Sequence, residues 1–430
     1  MASSLKVKRC IVVFVLLMPF CGKAQINSTQ SDTLFLNIDS CESMFLKNNL
    51  QLIASRYNVS AQKAFEIQAK LFPNPSLQFN QSFYNPETKS ILPFGENGES
   101  SAQLSQLIQL AGKRNKQIKL AQANVQLSQL QFIELLKTLR YSLNTDFYAI
   151  FYLSNSAKVY SAEINSLRHL VSAFTIQLQQ GNVSEKEEIR VKAQLFSLES
   201  EYNDLCLQIK DVETELSLLL QTKEVIAPRL NQRTIDNLSL QQYPVETLVD
   251  SALINHPDIQ IAKLNTQISR LNYRYQRSLA VPDLTFSFGY DQQGGYVKNL
   301  TTLGVGIDLP FFNRNQGNIK ASQMQIKMSE VTEQTQESTI QSAIRNAYQK
   351  AQSYNNLYLA RDKQFDQDFQ TIQQATLKNY ENKNISLLDF LDFYNAYKQN
   401  VIQLNTLQLD RVNAFEAINF YTGCSFFSLN

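Results

Sequence analysis

The chain has 430 residues, with 12 Gly, 10 Pro, no Trp and a formal charge of +2 at pH 7. So balanced a charge excludes an electrostatic nucleic-acid footprint, which needs a basic face and a high pI. Gly and Pro gather mainly at 73–112 and 228–317; being the strongest local punctuation, their scarcity elsewhere excludes ordinary turn-rich domains and leaves long helices.

Met1 to Ala24 reads as a secretory signal. Lys6, Lys8 and Arg9 supply the charge, Cys10 to Phe20 the apolar core, and Gly22 and Ala24 the small residues before a cut after Ala24. Lipidation of Cys21 is the competing reading, weakened by Phe20, where a lipoprotein site carries a small residue. No apolar run of about 18 residues exists elsewhere, so no transmembrane helix is expected. Cys41, Cys206 and Cys424 are scattered, without CxxC or a neighbouring His. Structural or free thiols are expected rather than a disulfide framework, and pairing between distant segments stays open.

A first helix is expected over Ile38 to Ala69. Two extended segments follow. Leu77, Phe79 and Phe83 alternate in the first; Ala102, Leu104, Ile108 and Leu110 line the second, after a loop rich in Pro86, Pro93, Gly95 and Gly98. A long helix then runs to Gly181 and folds back. On its return, Tyr202, Leu205, Ile209, Val212, Leu216 and Leu219 are spaced as a coiled-coil seam. A joint containing Pro228 follows.

The same order then repeats. A helix covers Pro244 to Leu279. Leu284, Phe286, Phe288 and Tyr290, then Leu303, Val305, Ile307 and Leu309, alternate with small or polar residues. Asn318 to Thr422 contains neither Gly nor Pro. It reads as two helices of about 60 and 35 residues, the first roughly 90 Å long, bent at Glu381 to Ser386. Ser386 would cap the returning helix, whose seam begins Tyr394, Tyr397, Val401, Leu404. Motif pairs support the duplication: Pro75 to Phe79 with Pro282 to Phe286, and Gly181 to Ser184 with Lys383 to Ser386. The expected division is a leader 1–24, a first repeat 25–222, a linker 223–242, a second repeat 243–422 and a tail 423–430.

The fold class is therefore mainly α with a small β part: tandem long α-helical hairpins and four strands. Strands of about 9–11 residues, apolar on one face, suit a transmembrane β-barrel; surface hairpins on a soluble protein compete on pattern alone. Four strands cannot close a barrel, and an open edge cannot sit in lipid. Three copies would give twelve strands over a ring of twelve helical strands, an α-barrel.

Leu71-Phe72-Pro73-Asn74-Pro75-Ser76-Leu77, Gln109-Leu110-Ala111-Gly112-Lys113-Arg114 and Asp308-Leu309-Pro310-Phe311-Phe312-Asn313-Arg314-Asn315-Gln316-Gly317 resemble the TolC-type outer-membrane efflux proteins. The last two are most similar to the CzcC-like, heavy-metal branch of RND pumps. The resemblance covers nearly the whole mature chain. It implies a homotrimer in outer-membrane lipid, a twelve-stranded barrel, a helical tunnel across the periplasm, and a periplasmic adaptor and inner-membrane RND pump as partners. It implies a passive exit duct, not an enzyme, and the heavy-metal branch implies metal cations as cargo. A secreted helical adaptor or scaffold without a pore is the alternative.

By the same resemblance, Gly181, Asn182, Val183 and Ser184, with Lys383, Asn384, Ile385 and Ser386, form adaptor-docking tips. Many relatives have Gly in both turns, so Lys383 is a departure. Asp389 and Asp392 match an acidic ring at the entrance, with Glu187 the repeat counterpart of Asp389; Tyr380 matches a position that helps hold the entrance shut. Arg190 stands where a repeat of Asp392 would be. The plain alternative for these acids is a helix-start role favoured by the dipole. Lys113, Arg114, Lys116 and Arg314 fall at strand-to-helix changes, the expected membrane edge, as lipid or mouth contacts or a solvated charge cluster. His169 and His256 lie far apart, and Met324 and Met328 read as packing. No metal-ligand cluster, nucleophile-and-base set, phosphate loop or cofactor motif is visible.

Overall fold

The computed structural model describes residues 33–293, 297–362, 364, 371–372, 375–376, 378–380, 382 and 384–429. The expected leader with its cut after Ala24, Cys21, Glu381 and Lys383 lie outside the described residues.

The chain opens with β1 (Thr33–Leu36), then α1 (Ile38–Asn48) and α2 (Leu50–Ala69). The expected single helix over 38–69 is thus two. Asn49 takes an extended conformation and its side chain caps α2 by accepting from Leu52 N. Next come β2 (Ser76–Gln81), the short β3 (Tyr84–Asn85) and β4 (Ser90–Ile91), and β5 (Ser100–Ile108). α3 (Lys113–Gln179) and α4 (Glu185–Leu220) form the first hairpin. The 67 residues of α3 span about 100 Å at 1.5 Å per residue.

A linker follows, with β6 (Val225–Pro228) and the short α5 (Gln232–Asp236). The expected helix over 244–279 is again two, α6 (Val245–Asn255) and α7 (Pro257–Leu279). Pro257 has no N–H to continue α6 and suits the first position of a helix. β7 (Leu284–Asp291) and β8 (Leu300–Ile307) precede α8 (Gln316–Ala360) and α9 (Leu387–Thr422). The expected helix of about 60 residues is therefore shorter: α8 ends after 45 residues, with Arg361 extended at φ −66°, ψ 142°. No Gly or Pro marks the place; the one local signal is Asp362, whose Oδ1 accepts from Gln364 N at 2.9 Å.

β2, β5, β7 and β8 form one antiparallel sheet in that order. The strands run six to nine residues, most below the 9–11 expected; Leu110 lies beyond β5. Side chains alternate between faces, and the register gathers like with like. Leu77, Leu104, Phe288 and Leu303 form one cross-strand row; Gln78, Gln103, Gly289 and Thr302 form the next, on the other face. Leu303 is 87% exposed and Leu77 74%. On the polar face a Cβ at Gly289 or Gly304 would lie 2.6 Å from Thr302 Oγ1 or Ser287 Oγ, so a larger residue at either would displace that hydroxyl.

Two apolar cores stabilise the long helices. The larger joins α1, α3, α4, α6, α8, α9 and the linker around Phe45, Phe147, Tyr148, Ile344 and Phe415. Its polar keystone is Arg411 on α9, 0% exposed, which donates to Asn355 Oδ1 and to the Ile235 and Leu238 carbonyls. The smaller core lies near the hairpin bends, around Leu167, Phe174, Val191, Phe390 and Tyr394. Of the α4 seam only Leu216 is fully buried within one protomer. Cys41, Cys206 and Cys424 are free thiols. Met324 and Met328, read as packing residues, are exposed in the protomer. Among the described residues no helix is long and apolar enough to cross a membrane.

Candidate functional site at the hairpin bends and strand–helix junctions

α3 ends in a left-handed Gly181 (φ +75°), a conformation that favours glycine. Gly181 N donates to Leu178 O at 2.9 Å, and Asn182 N to Gln177 O at 2.9 Å, so the last carbonyls are satisfied. The second bend repeats this closure, with Asn384 N donating to Asn379 O at 2.9 Å. Val183 and Ile385, one from each bend, pack against the small core. The Asn182 bond thus recurs at Asn384, although Gly181 corresponds in sequence to Lys383.

Each returning helix starts with a capping box. Ser184 Oγ donates to Glu187 Oε2 at 2.8 Å, and Ser184 N to the same oxygen at 2.9 Å. In the second hairpin Ser386 Oγ donates to Asp389 Oδ2 at 2.7 Å. Glu187 and Asp389 are therefore engaged with their own helix starts. The backbone N–H and then the hydroxyl of Ser184 hold the Glu187 carboxyl below the usual range. Asp392 is exposed, one turn further on, and Arg190 is exposed on α4.

Tyr380 joins an aromatic column. Its ring stacks on Phe174 at 6.4 Å and on Phe390 at 5.0 Å, and Phe390 stacks on Tyr394 at 5.1 Å. Phe174 belongs to the first hairpin and the other three to the second, so the column ties the two tips together. Burial, then the Glu187 charge, push the Tyr380 hydroxyl up to about 12, so it stays neutral.

Two acidic sites escaped the sequence reading. Glu188 is buried, accepting from Thr175 Oγ1 at 2.8 Å and pairing with Lys192 at 2.8 Å. Its spacing to Val191, Leu195 and Leu198 places it on the buried stripe, a legible signal. Higher up, Glu163 on α3 is 2% exposed and Lys398 on α9 is 5% exposed. Lys398 Nζ donates to Glu201 Oε2 at 2.7 Å, and Tyr160 OH to the same oxygen at 3.1 Å. Burial raises the Glu163 carboxyl to about 8, against Lys398 and with Glu201. Burial also opposes the Glu201 charge, yet its bonds to Lys398 and Tyr160 hold it below the usual range.

At the junctions, Lys113 is buried rather than presented to lipid: its ammonium pairs with Asp283 at 2.7 Å, which also accepts from Leu110 N. Arg114 lies 3.6 Å over the Phe72 ring and donates to Lys70 O. Lys116 bonds Ala111 O. Arg314 is exposed and donates to Phe311 O at 3.3 Å. These cations shape the strand-to-helix corners. His256 is buried and caps α7, Nδ1 accepting from Asp258 N; His169 sits exposed on α3. Among the described residues no three His, Cys, Asp or Glu gather as a metal site.

Residues 248–424 match the model of the outer membrane efflux protein family. Over 284 residues the chain is 22% identical to the cobalt-zinc-cadmium resistance protein CzcC of Cupriavidus metallidurans, covering 66% of this chain and 65% of that protein. The alignment thus spans just under two thirds of that relative. The fold is similar to the CmeC outer membrane channel of Campylobacter jejuni, with a TM-score of 0.72 at 17% identity over 90% of this chain and 85% of that one. It is similar also to the open state of the MtrE outer membrane channel of Neisseria gonorrhoeae, with a TM-score of 0.71 at 14% identity over 90% and 89%.

Proposed function

We propose that the chain, whose residues 248–424 match the outer membrane efflux protein family, is a member of that family and the outer-membrane exit duct of a tripartite efflux pump. The observation that carries the reading is the four-stranded sheet. One face is mainly apolar and exposed, with exceptions such as Gln106 and Thr301, the other is mainly Ser, Gln, Thr and Gly, with exceptions such as Leu107 and Leu300, and β2 and β8 each leave an edge unpaired. An edge cannot face hydrocarbon. Three copies bring twelve strands and close the sheet, with the apolar face to lipid and the polar face to water. The hairpins, each half contributing one, then extend as a tube into the periplasm. The recurring element order supports a tandem division at 25–222 and 243–422, with linker 223–242.

In this reading secretion through the leader delivers the chain to the outer membrane, an adaptor meets the tips at 181–184 and 383–386, and an inner-membrane RND pump supplies the driving force. The duct conducts passively. Its kinship with a cobalt-zinc-cadmium resistance protein favours metal cations as cargo, with selection in the pump. Asp389 and Asp392 from three protomers would give six carboxylates near the entrance, an arrangement that attracts cations.

Two experiments test this. Heat-labile trimers from outer-membrane fractions should conduct in planar bilayers; purely soluble, non-conducting monomers would instead indicate the pore-free scaffold. In conducting trimers, Asp389→Ala with Asp392→Ala should weaken block by divalent cations about tenfold. Unchanged block would remove the acids from the entrance.

A further inference from the structure

The apolar packing between the hairpins comes in two pieces. The fully buried part of the small core ends upward at Ile164, Leu198 and Tyr394, with Tyr160 and Tyr202 partly buried against it, and the larger one begins around Tyr152, Val212 and Leu409. Between them lies a polar belt. Asn405 on α9 donates to Ser156 on α3 at 3.0 Å. Lys398 of α9 holds Glu201 of α4 beside Tyr160 and Glu163 of α3. Tyr394 and Tyr397 of α9 complete the surroundings, both within electrostatic reach of Glu163, and Ser197 of α4 donates to the other Glu201 oxygen. From Tyr160 to the end of α3 is about 30 Å of helix.

The place where α8 stops falls at the same height. The offset of 202 that maps Gly181 onto Lys383 maps Lys158 onto Ala360, the last residue of α8. An interrupted helix and an interrupted apolar seam therefore coincide.

We propose that Lys398 is a latch: across the polar belt it pins α9 to the first hairpin, and its release from Glu201 lets the hairpins shear at this height. A buried ammonium cannot leave its carboxylate uncompensated. Glu163 is the group placed to receive it, buried alongside with one carboxylate oxygen that has no hydrogen-bond partner. At neutral pH Glu163 carries its proton, so Lys398 belongs to Glu201 alone. When Glu163 ionises, two carboxylates share one ammonium and the hold on Glu201 weakens. That the shear alters conduction rests on the exit-duct reading above.

The test reads the latch separately from conduction. Gln194 of α4 and Asn395 of α9 touch below the belt, Nε2 to Oδ1 at 2.9 Å. Gln194→Cys with Asn395→Cys, in a chain whose native cysteines are replaced, reports their approach by disulfide formation with copper–phenanthroline. Lys398→Met, or Glu201→Gln should the first not fold, is expected to slow linking about tenfold, as loss of an ion pair whose ammonium is buried warrants. Lys398→Arg should keep it. Raising the pH through about 8 should slow linking in the parent but not in Glu163→Gln. In bilayers, Lys398→Met should raise the open fraction, and a formed 194–395 disulfide should restore the parent level until reduced. Unchanged linking in both Lys398→Met and Glu201→Gln overturns the latch. Normal linking behaviour in a parent that never conducts leaves the latch standing and removes the duct.

Discussion

The first hairpin descends on 67 uninterrupted residues of α3, whereas α8 in the second stops after 45, at Ala360. The first returns from a glycine bend into a helix whose first turn carries Glu185, Glu187 and Glu188; the second returns into one whose first turn carries Asp389 alone. The two hairpins thus differ as a continuous strut and a divided arm. The difference matters because both cores are shared between them: a continuous helix transmits displacement along its length, while a break lets upper and lower parts respond separately. The contrasts between the halves are therefore where perturbation is most informative.

The largest expected effect concerns the upper part of the arm. Arg411 has no counterpart in the strut, where the 202-residue offset puts the half-buried Ile209. Burial lowers its affinity for the proton, yet its three donors satisfy acceptors on α5, the following loop and α8, and its guanidinium lies 4.3 Å over the Tyr358 ring. Arg411→Met removes the charge but strands those acceptors without water. The cost should be about 4 kcal/mol, against about 1 kcal/mol for Ile209→Ala at a half-buried seam position. Urea unfolding of detergent-solubilised protein measures both. Equal costs would mean that the linker is not held through α9.

A smaller effect separates the halves by pH. Glu163 has an ordinary value of 4.5 and rises to about 8 when folded, while its sequence counterpart in the second half is Phe365. The folded chain holds this proton over a window in which the unfolded chain has lost it. Stability contributed by the neutral carboxyl is thus full below about 4.5 and falls as pH rises toward about 8, levelling off above. The fall should be on the order of 2–4 kcal/mol. Glu163→Gln should flatten that part of the pH–stability curve. A curve that Gln leaves unchanged would assign the dependence elsewhere, with Glu416, raised to about 7 mainly by burial, as the next group to replace.

Much of this architecture is written in local pattern. Period-2 alternation over Leu284 to Tyr290 and Leu303 to Ile307 gave the strands because one face is apolar throughout, and Gly181 gave the bend because a left-handed residue was needed there. Ser386 announced a helix start, and the structure supplies the capping box. What was not legible depends on contacts remote in sequence. Arg361 ends α8 with no Gly or Pro nearby, only the cap-type Asp362. Lys113 reads as an exposed cation until Asp283, 170 residues away, closes over it. Lys398, Glu201 and Glu163 each look like ordinary surface charges on a helix, and only the packing of three helices brings them together, Lys398 and Glu163 buried and Glu201 half-buried. Asn49 and His256 could have been anticipated as breaks, since each can cap and the second precedes Pro257.

The smallest expected effect tests whether the two capping boxes differ as their acids do. Glutamate is one methylene longer than aspartate and reaches its cap better: Glu187 Oε2 lies 2.9 Å from Ser184 N, while Asp389 Oδ2 lies 3.4 Å from Ser386 N. In the strut, Ser184→Ala removes the hydroxyl but leaves a sound carboxylate bond to the backbone, with two further acids facing the helix dipole. In the arm, Ser386→Ala leaves only the long aspartate contact. A cap serine is worth about 1 kcal/mol; the loss should approach that value for Ser386→Ala and be roughly half of it for Ser184→Ala. Amide exchange in the first turns of α4 and α9 measures the pair, and Ser386→Ala with Asp389→Glu should recover part of the larger loss. If Ser184→Ala proves the costlier change, carboxylate reach does not govern these helix starts, and the first hairpin would then owe its firmness to the continuity of α3 alone.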